Sequence, residues 1–255
     1  MENIVVRAEE RILVWDLPTR LFHWLFAGGF VTAFAISQLA EEEGPLFPYH
    51  AIVGLALALM VVLRLAWGIV GTRYARLGAL PVSPGAVLAY ARDTLVGGGR
   101  RYVGHNPGSS VAIVAMLLGM LGLGATDFLM SQGNEGVKEA HEILAYAMAA
   151  AAGLHIAGVI LHTLRHRENI TASMVTGRKT GLASEGIGGA RPLVALVFLG
   201  IVGAWSVGMV KGYDAVKRTM TLPLLGTSMR LGEDEGGEKR GGHSDRERED
   251  EEDDD

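Results

Sequence analysis

Cysteine is absent from this chain of 255 residues. Covalent c-type haem attachment, thiolate-held iron–sulfur clusters, thiolate zinc sites and disulfides are therefore excluded. Charged residues are also scarce, at 20% of the chain against 49% hydrophobic residues, and the mean hydropathy is +0.26. This balance is typical of a polytopic membrane protein. Any metal chemistry must use histidines, methionines or carboxylates.

Acidic residues are few outside the C-terminal tail. Residues 233–255 hold 13 Asp/Glu and 4 Lys/Arg, which leaves residues 1–232 with a net charge of +4 although the whole chain is at −5. The tail has almost no apolar residues, so it is predicted to be disordered and separate from the fold. The remaining bases cluster beside apolar segments, and nothing indicates nucleic-acid binding.

Five apolar segments are long enough to cross a bilayer. They are residues 21–39, 50–70, about 109–130, 143–164 and 192–210. The polar leader argues against a cleaved signal peptide. We predict a cytoplasmic N-terminal segment 1–20, a transmembrane bundle 21–180, a linker with a fifth transmembrane helix 181–211, and an extension 212–255 that includes the acidic tail. A stripe of Gly200, Ala204 and Gly208 predicts close packing of the fifth helix, either on the bundle or on a partner subunit.

The connections between the spans predict the orientation. Residues 71–108 and 165–191 are rich in Arg and Lys and are expected in the cytoplasm, whereas residues 40–49 and 131–140 are acidic or mixed and are expected outside. The N-terminus is therefore predicted to be cytoplasmic. A fifth span would place the tail outside, which conflicts with the basic residues that follow it.

Four histidines lie in the first, second and fourth spans, where an ionisable residue marks a functional site. In a helix, His141 and His155 differ by about 40° in azimuth and about 21 Å along the axis. The predicted topology places His23 and His155 at cytoplasmic depth, and His50 and His141 at periplasmic depth. Two imidazoles that face each other across a bundle can supply both axial ligands of a haem iron.

Other residues of the spans fit such sites. Ala27, Gly54 and Ala145 each follow a histidine by four residues and leave space for a macrocycle. Arg64 lies at the depth of the cytoplasmic pair and could bind a haem propionate; its alternative is a snorkelling arginine at a helix end. We expect His162 and His166 to be surface residues, with His162 a reserve ligand. His105 is expected to be structural or near a quinone.

Several motifs together resemble the bacterial cytochrome b561 family, which includes the b-type cytochrome subunits of nickel–iron hydrogenases. The resemblance covers about residues 11–180 and implies a four-helix membrane bundle with two b haems, which passes electrons between a periplasmic redox partner and the quinone pool. It implies ligand roles for His23, His50, His141 and His155. The resemblance implies no structure or function for the fifth span and the tail. The motifs are Arg11…Val14-Trp15-Asp16…Arg20…His23, His50…Gly54…Arg64…Trp67-Gly68, Gly104-His105-Asn106-Pro107-Gly108, His141-Glu142…His155…Gly158-Val159, Arg165-His166-Arg167-Glu168-Asn169 and Met174…Gly177-Arg178-Lys179.

The sequence is thus interpreted as an all-α integral-membrane bundle that holds two b-type haems in the bacterial inner membrane, with Arg64 and Arg20 as further cofactor contacts. Expected partners are lipid, quinone as substrate, and a c-type cytochrome or hydrogenase in the periplasm. A stand-alone quinol oxidase is one alternative. A metal-ion transporter is the other, although such sites usually use carboxylates, of which the spans carry almost none.

Overall fold

The computed structural model describes residues 9–96 and 101–231. Five of its helices are long and apolar enough to cross a membrane, which confirms the predicted multi-pass helical bundle and its fifth span. The acidic tail 233–255 lies outside the described residues. In chain order the helices are α1 (Leu17–Leu39), α2 (Pro48–Val70), α3 (Pro84–Val96), α4 (Pro107–Ser131), α5 (Lys138–His166), α6 (Ile170–Thr176) and α7 (Pro192–Lys211); the spans are α1, α2, α4, α5 and α7.

Polar caps and prolines set where the spans begin. The Asp16 carboxylate accepts a hydrogen bond from Thr19 N at 2.9 Å at the start of α1, and Asn106 accepts one from Ser109 N at 2.8 Å at the start of α4. Pro18 and Pro107 lie in the first turns of the same helices, where the missing N–H costs nothing. These caps lie at the same end of the bundle, because α1 and α4 run in the same direction.

Two small sheets mark the two ends of the bundle. Strands β1 (Glu10–Leu13) and β2 (Arg178–Gly181) pair antiparallel, with Glu10 opposite Gly181. Residues 9–16, 71–83, 101–106 and 167–191 form this two-stranded end. Strands β3 (Tyr213–Asp214), β4 (Thr219–Thr221) and β5 (Ser228–Arg230) form an antiparallel sheet in the order β3-β4-β5. Residues 40–47, 132–137 and 212–231 form this three-stranded end. Neither sheet was predicted from the sequence.

The main apolar core lies where the five spans meet. Its buried members are Phe26, Leu57, Met60, Val61, Leu117, Met120, Leu123, Met148 and Phe198. Helix α7 contributes Phe198 to this core, and it packs against α1 and α2. Its small-residue stripe points elsewhere: Gly200 has no neighbour within 4 Å of a Cβ position, and Ala204 is exposed. The prediction that these two residues pack on the bundle is therefore wrong. Their contact with a partner subunit stays a prediction.

The three-stranded sheet is attached to the bundle by a second apolar cluster, in which the side chains of Met209, Met220 and Met229 are completely buried. The cluster also contains Ala51 and Ile52 of α2 together with Leu222 and Leu231. Pro223 lies against Gly208, where a Cβ would approach the proline ring to 2.7 Å. The predicted extension 212–255 therefore begins with a folded segment, residues 212–231, next to the start of α2.

At the two-stranded end, Trp15 and Asp16 tie separate helices together. Asp16 Oδ2 accepts hydrogen bonds from Trp67 Nε1 at 3.1 Å and Thr72 Oγ1 at 2.5 Å. The Trp15 indole donates to Ser173 Oγ in α6 at 3.1 Å. Asp16 and Trp15 are both almost fully buried. This pair thus joins the start of α1 to the end of α2 and to α6, which fixes the relative height of the helices that carry the histidines.

Candidate functional site

Two of the four predicted histidines meet near the three-stranded end. His50 lies in the first turn of α2 and His141 in the first turn of α5. Their ring centroids are 6.1 Å apart, with an angle of 68° between the ring planes. Two imidazoles that bind one metal ion from opposite sides through their Nε2 atoms, each at about 2.0 Å, have centroids about 6 Å apart. The spacing of this pair therefore fits a bis-histidine metal site.

Hydrogen bonds fix the tautomer of both rings. His50 Nδ1 lies 2.9 Å from the carbonyl oxygen of Ala33, which can only accept, so Nδ1 carries the proton. Thr126 Oγ1 donates to the Gly122 carbonyl at 2.9 Å, so its lone pair accepts from His141 Nδ1 at 2.8 Å. In both rings the unprotonated Nε2 is left as the metal-binding atom. Such bonds from the distal nitrogen are how proteins orient histidine ligands.

An apolar cavity adjoins this pair. It contains about 470 Å³ of empty space, its open side included, and its lining includes both histidines, Gly54 and Ala145. A Cβ at Gly54 would have no neighbour within 4 Å, so the small residue keeps this space open. A mostly apolar lining with few polar groups is typical of a cofactor site. The ligand chemistry of the two histidines and the small, apolar residues beside them thus fit a b-type haem.

Asp127 on α4 also lines this cavity, and the sequence interpretation missed it. Its Oδ2 atom is buried and has no hydrogen-bond partner among the described residues. The signal was present in the sequence, since an acid inside an apolar span is rare. Even with Asp127, the described part of the chain contains no group of three His, Asp or Glu side chains that could hold a metal ion.

The other two histidines lie toward the two-stranded end. His23 on α1 and His155 on α5 are near enough for their charges to interact. The Nδ1 atom of His23 is buried without a hydrogen-bond partner in residues 9–96 and 101–231. Its ring meets Trp24 edge-on, with centroids 4.9 Å apart. The structure thus places the two predicted pairs at opposite ends of the bundle, although only His50 and His141 are in direct ring contact.

Two predicted cofactor contacts, Arg64 and Arg20, lie in different surroundings. Arg64 is only 4% exposed, so the snorkelling alternative is wrong. Its Nη1 atom is buried and lacks a partner within the described ranges. Arg20 donates through Nε to the Met174 carbonyl at 3.3 Å and through Nη2 to the Val175 carbonyl. Arg20 therefore anchors the end of α6, and its contact with a cofactor stays a prediction.

His162 was expected on the surface, and this expectation is wrong. The residue is 9% exposed, and its Nε2 lies 3.9 Å from Glu168 Oε2. The approach of His162 is the largest of the effects that lower the pKa of Glu168, and the charges of Lys179 and Arg101 lower it further. His162 therefore belongs to a buried ion network at the end of α5. The side chain of His166 lies outside the described residues.

Comparison with known proteins identifies the family. A family model described as prokaryotic cytochrome b561 matches residues 14–177. No curated protein and no solved structure gives a significant match. Because the match covers more than half of the chain, the chain belongs to the prokaryotic cytochrome b561 family. It is a multi-pass membrane protein that belongs to the b-type cytochromes, which bind haem and transfer electrons. The family match ends before α7 and the three-stranded sheet.

Proposed function

We propose that this protein is a di-haem cytochrome that transfers electrons across the bacterial inner membrane between a periplasmic redox protein and the quinone pool. The observation that carries the proposal is the His50–His141 pair, whose centroids are 6.1 Å apart, with a second histidine pair at the opposite end of the same bundle. Two stationary redox centres at different depths suit electron transfer across a membrane better than ion translocation does.

His50 and His141 would hold one haem through Nε2, and His23 and His155 would hold the other. Arg64 is the candidate partner of a propionate, and Arg20 is a further candidate contact. A bound b haem supplies reversible one-electron chemistry at its iron. The chain itself orients the imidazoles, keeps water away from them and sets the local dielectric, which together determine the redox potential.

The distribution of charge supports an orientation with the two-stranded end in the cytoplasm. Arg73, Arg76, Arg92 and Arg101 are all exposed in the connection between α2 and α4, as expected on the cytoplasmic side. The N-terminus would then be cytoplasmic and the three-stranded end periplasmic, where a c-type cytochrome or a hydrogenase would dock. Quinone would react near the basic cytoplasmic connection, where positive charge stabilises a quinol anion.

A reduced-minus-oxidised optical spectrum with quantified haem tests the class of protein and the number of haems. His50→Ala and His141→Ala should remove the same spectral and redox component, and His23→Ala and His155→Ala should remove the other one. His243→Ala, in the acidic tail, is the control and should leave both components unchanged. The pairing is refuted if the His23 and His141 variants lose the same haem, or if the wild-type protein binds only one.

The stand-alone quinol oxidase differs from the proposed electron-transfer subunit in one testable way, because only the subunit needs a redox partner for turnover. An oxidase oxidises quinol with oxygen species as acceptor when the purified chain is assayed alone. An electron-transfer subunit requires the periplasmic acceptor or donor, so its turnover without one should remain at background.

A further inference from the structure

Two side-chain nitrogens are buried at the two-stranded end without a hydrogen-bond partner in the described part of the chain. They are Nε2 of His105, in the loop before α4, and Nη1 of Arg64, near the end of α2. The acid whose charge acts on Arg64 is Asp16, and its carboxylate already accepts bonds from Thr19, Trp67 and Thr72. A buried cation or N–H without an acceptor is costly. The Arg64 guanidinium, together with a His105 ring that carries its proton on Nε2, therefore points to an acidic group that the described part of the chain does not provide.

The position of His105 is fixed by its neighbours. Its ring packs on Trp15, with centroids 4.6 Å apart and an angle of 43° between the planes. Gly104, the preceding residue, lies against Tyr74 so closely that a Cβ would approach Tyr74 Cδ1 to 2.5 Å. Asn106, the following residue, caps α4. The imidazole is thus held in place from both sides along the chain, as expected of a residue that binds a specific group.

The electrostatic surroundings of His105 are basic. Burial lowers its pKa from the ordinary 6.5 to about 3, and Arg64, His155, Lys179 and His23 lower it further. Arg64 and Lys179 are the permanent cations among these neighbours; Lys179 Nζ already lies 3.6 Å from Glu168 Oε1, which leaves Arg64 as the cation that favours an anion beside His105. Because Arg64, His155 and His23 also belong to the proposed cytoplasmic haem site, the acidic group that belongs here is part of that cofactor.

We propose that His105 and Arg64 together bind a propionate carboxylate of the haem at the two-stranded end, with His105 as a positioning residue that donates through Nε2. This inference rests on the proposed function, since it requires a haem between His23 and His155. A guanidinium and an imidazole N–H are both good donors to a carboxylate. His105 therefore has neither the axial-ligand role nor the purely structural one.

The assignment has a consequence for redox potential. A propionate is negatively charged and stabilises the ferric iron, so donors that offset this charge raise the midpoint potential of that haem. His105→Phe keeps an aromatic ring on Trp15 but removes the N–H, whereas His105→Gln keeps a terminal N–H at a similar distance from the backbone. His105→Phe should lower the midpoint potential of the component assigned to His23 and His155. His105→Gln should restore most of it, and the other component should not move.

Redox titration followed by optical and low-spin EPR signals separates the alternatives. Equal shifts in both variants would show a packing effect, and no shift in either would remove the propionate contact. Loss of the low-spin signal in His105→Phe would make His105 an axial ligand. Each of these results overturns the inference.

If His105→Phe does not retain the second haem, which reports an intact bundle, Arg64→Gln is measured instead, because it removes the positive charge and leaves the Trp15–His105 contact unchanged. Arg64→Gln should lower the potential of the same component only, and a shift of both components or of neither would overturn the inference. A wild-type protein without haem would contradict the proposed function itself. Two haems that are insensitive to these substitutions would contradict only the present inference.

Discussion

Thr126→Val tests whether the histidine pair at the three-stranded end is a ligand pair held ready by hydrogen bonds. Valine has nearly the shape of threonine but no oxygen, so His141 Nδ1–H loses the acceptor that lies 2.8 Å away. The Leu123 carbonyl still hydrogen-bonds His141, so loss of the Thr126 bond costs about 0.5–1.5 kcal/mol. This cost corresponds to a loss of about 2- to 13-fold in affinity for the ligand that His141 binds. Removal of a hydrogen-bond partner of a metal-ligating histidine typically costs about 10–100-fold, so a loss near 10-fold is expected here.

The assay is transfer of haem from the purified protein to an excess of a haem scavenger, with the two components followed separately in the optical spectrum. The component that depends on His50 and His141 should be lost faster in Thr126→Val, whereas Thr126→Ser, which keeps the oxygen, should resemble the wild type. Thr32→Val is the matched control, because Thr32 Oγ1 donates only to the Gly28 carbonyl at 2.8 Å. If Thr126→Val and Thr32→Val release haem at the same rate, the tautomer argument is incorrect.

Three further substitutions test other parts of the structure. Gly54→Leu should reduce the haem content by about half, because the leucine side chain enters the cavity beside His50. Gly28→Leu, at an exposed position with no neighbour within 4 Å, should leave the haem content unchanged. Equal haem contents in the two variants would contradict this role of Gly54. Trp67→Phe removes a hydrogen bond to a buried carboxylate and should lower the free energy of unfolding by about 1.5–3 kcal/mol. The control Trp205→Phe loses a similar volume but no hydrogen bond, because Trp205 Nε1 has no partner within the described residues. Equal losses of stability in thermal unfolding would refute the role of Asp16. The approach of His162 lowers the pKa of Glu168. This carboxylate therefore stabilises the fold above its unfolded pKa of about 4.3, and the stabilisation is lost as the pH falls through the folded pKa. Glu168→Gln should flatten this part of the pH–stability curve, and an unchanged curve would exclude the contribution.

The spans and the depth of the histidines could be predicted because both follow from simple periodicity. Hydropathy defines the spans, and the rise of a helix gives the distance of each histidine from the helix end. The burial of His162 could not be predicted in this way. Arg167, at the end of α5, adopts a left-handed conformation with φ of 52°, which begins the turn that brings Glu168 to His162. Nothing in the sequence signals such a turn at a residue other than glycine or asparagine.

The two sheets escaped prediction for a different reason. Their strands have 2 to 4 residues, which is too short for an alternating pattern to be recognised. The β3–β5 sheet is stabilised by contacts that are distant in sequence, such as those of Met220 and Met229 with Ala51 and Ile52. Asp127, in contrast, was visible in the sequence as an acid within an apolar span. Its position beside the histidine pair required the packing of α4 against α2 and α5.

The two ends of this bundle are completed at different times during synthesis. The two-stranded end requires β2, which ends at Gly181, whereas the three-stranded end requires β5, which ends at Arg230. Because the ribosome makes the chain from its N-terminus, β1 and β2 can pair before α7 has entered the membrane. Ala51 and Ile52, the two residues after His50, stay uncovered until the last crossing has been made and the segment after it has reached the far side. All strands of the end that carries Trp15 and Asp16 are therefore synthesised before those of the end beside His50 and His141.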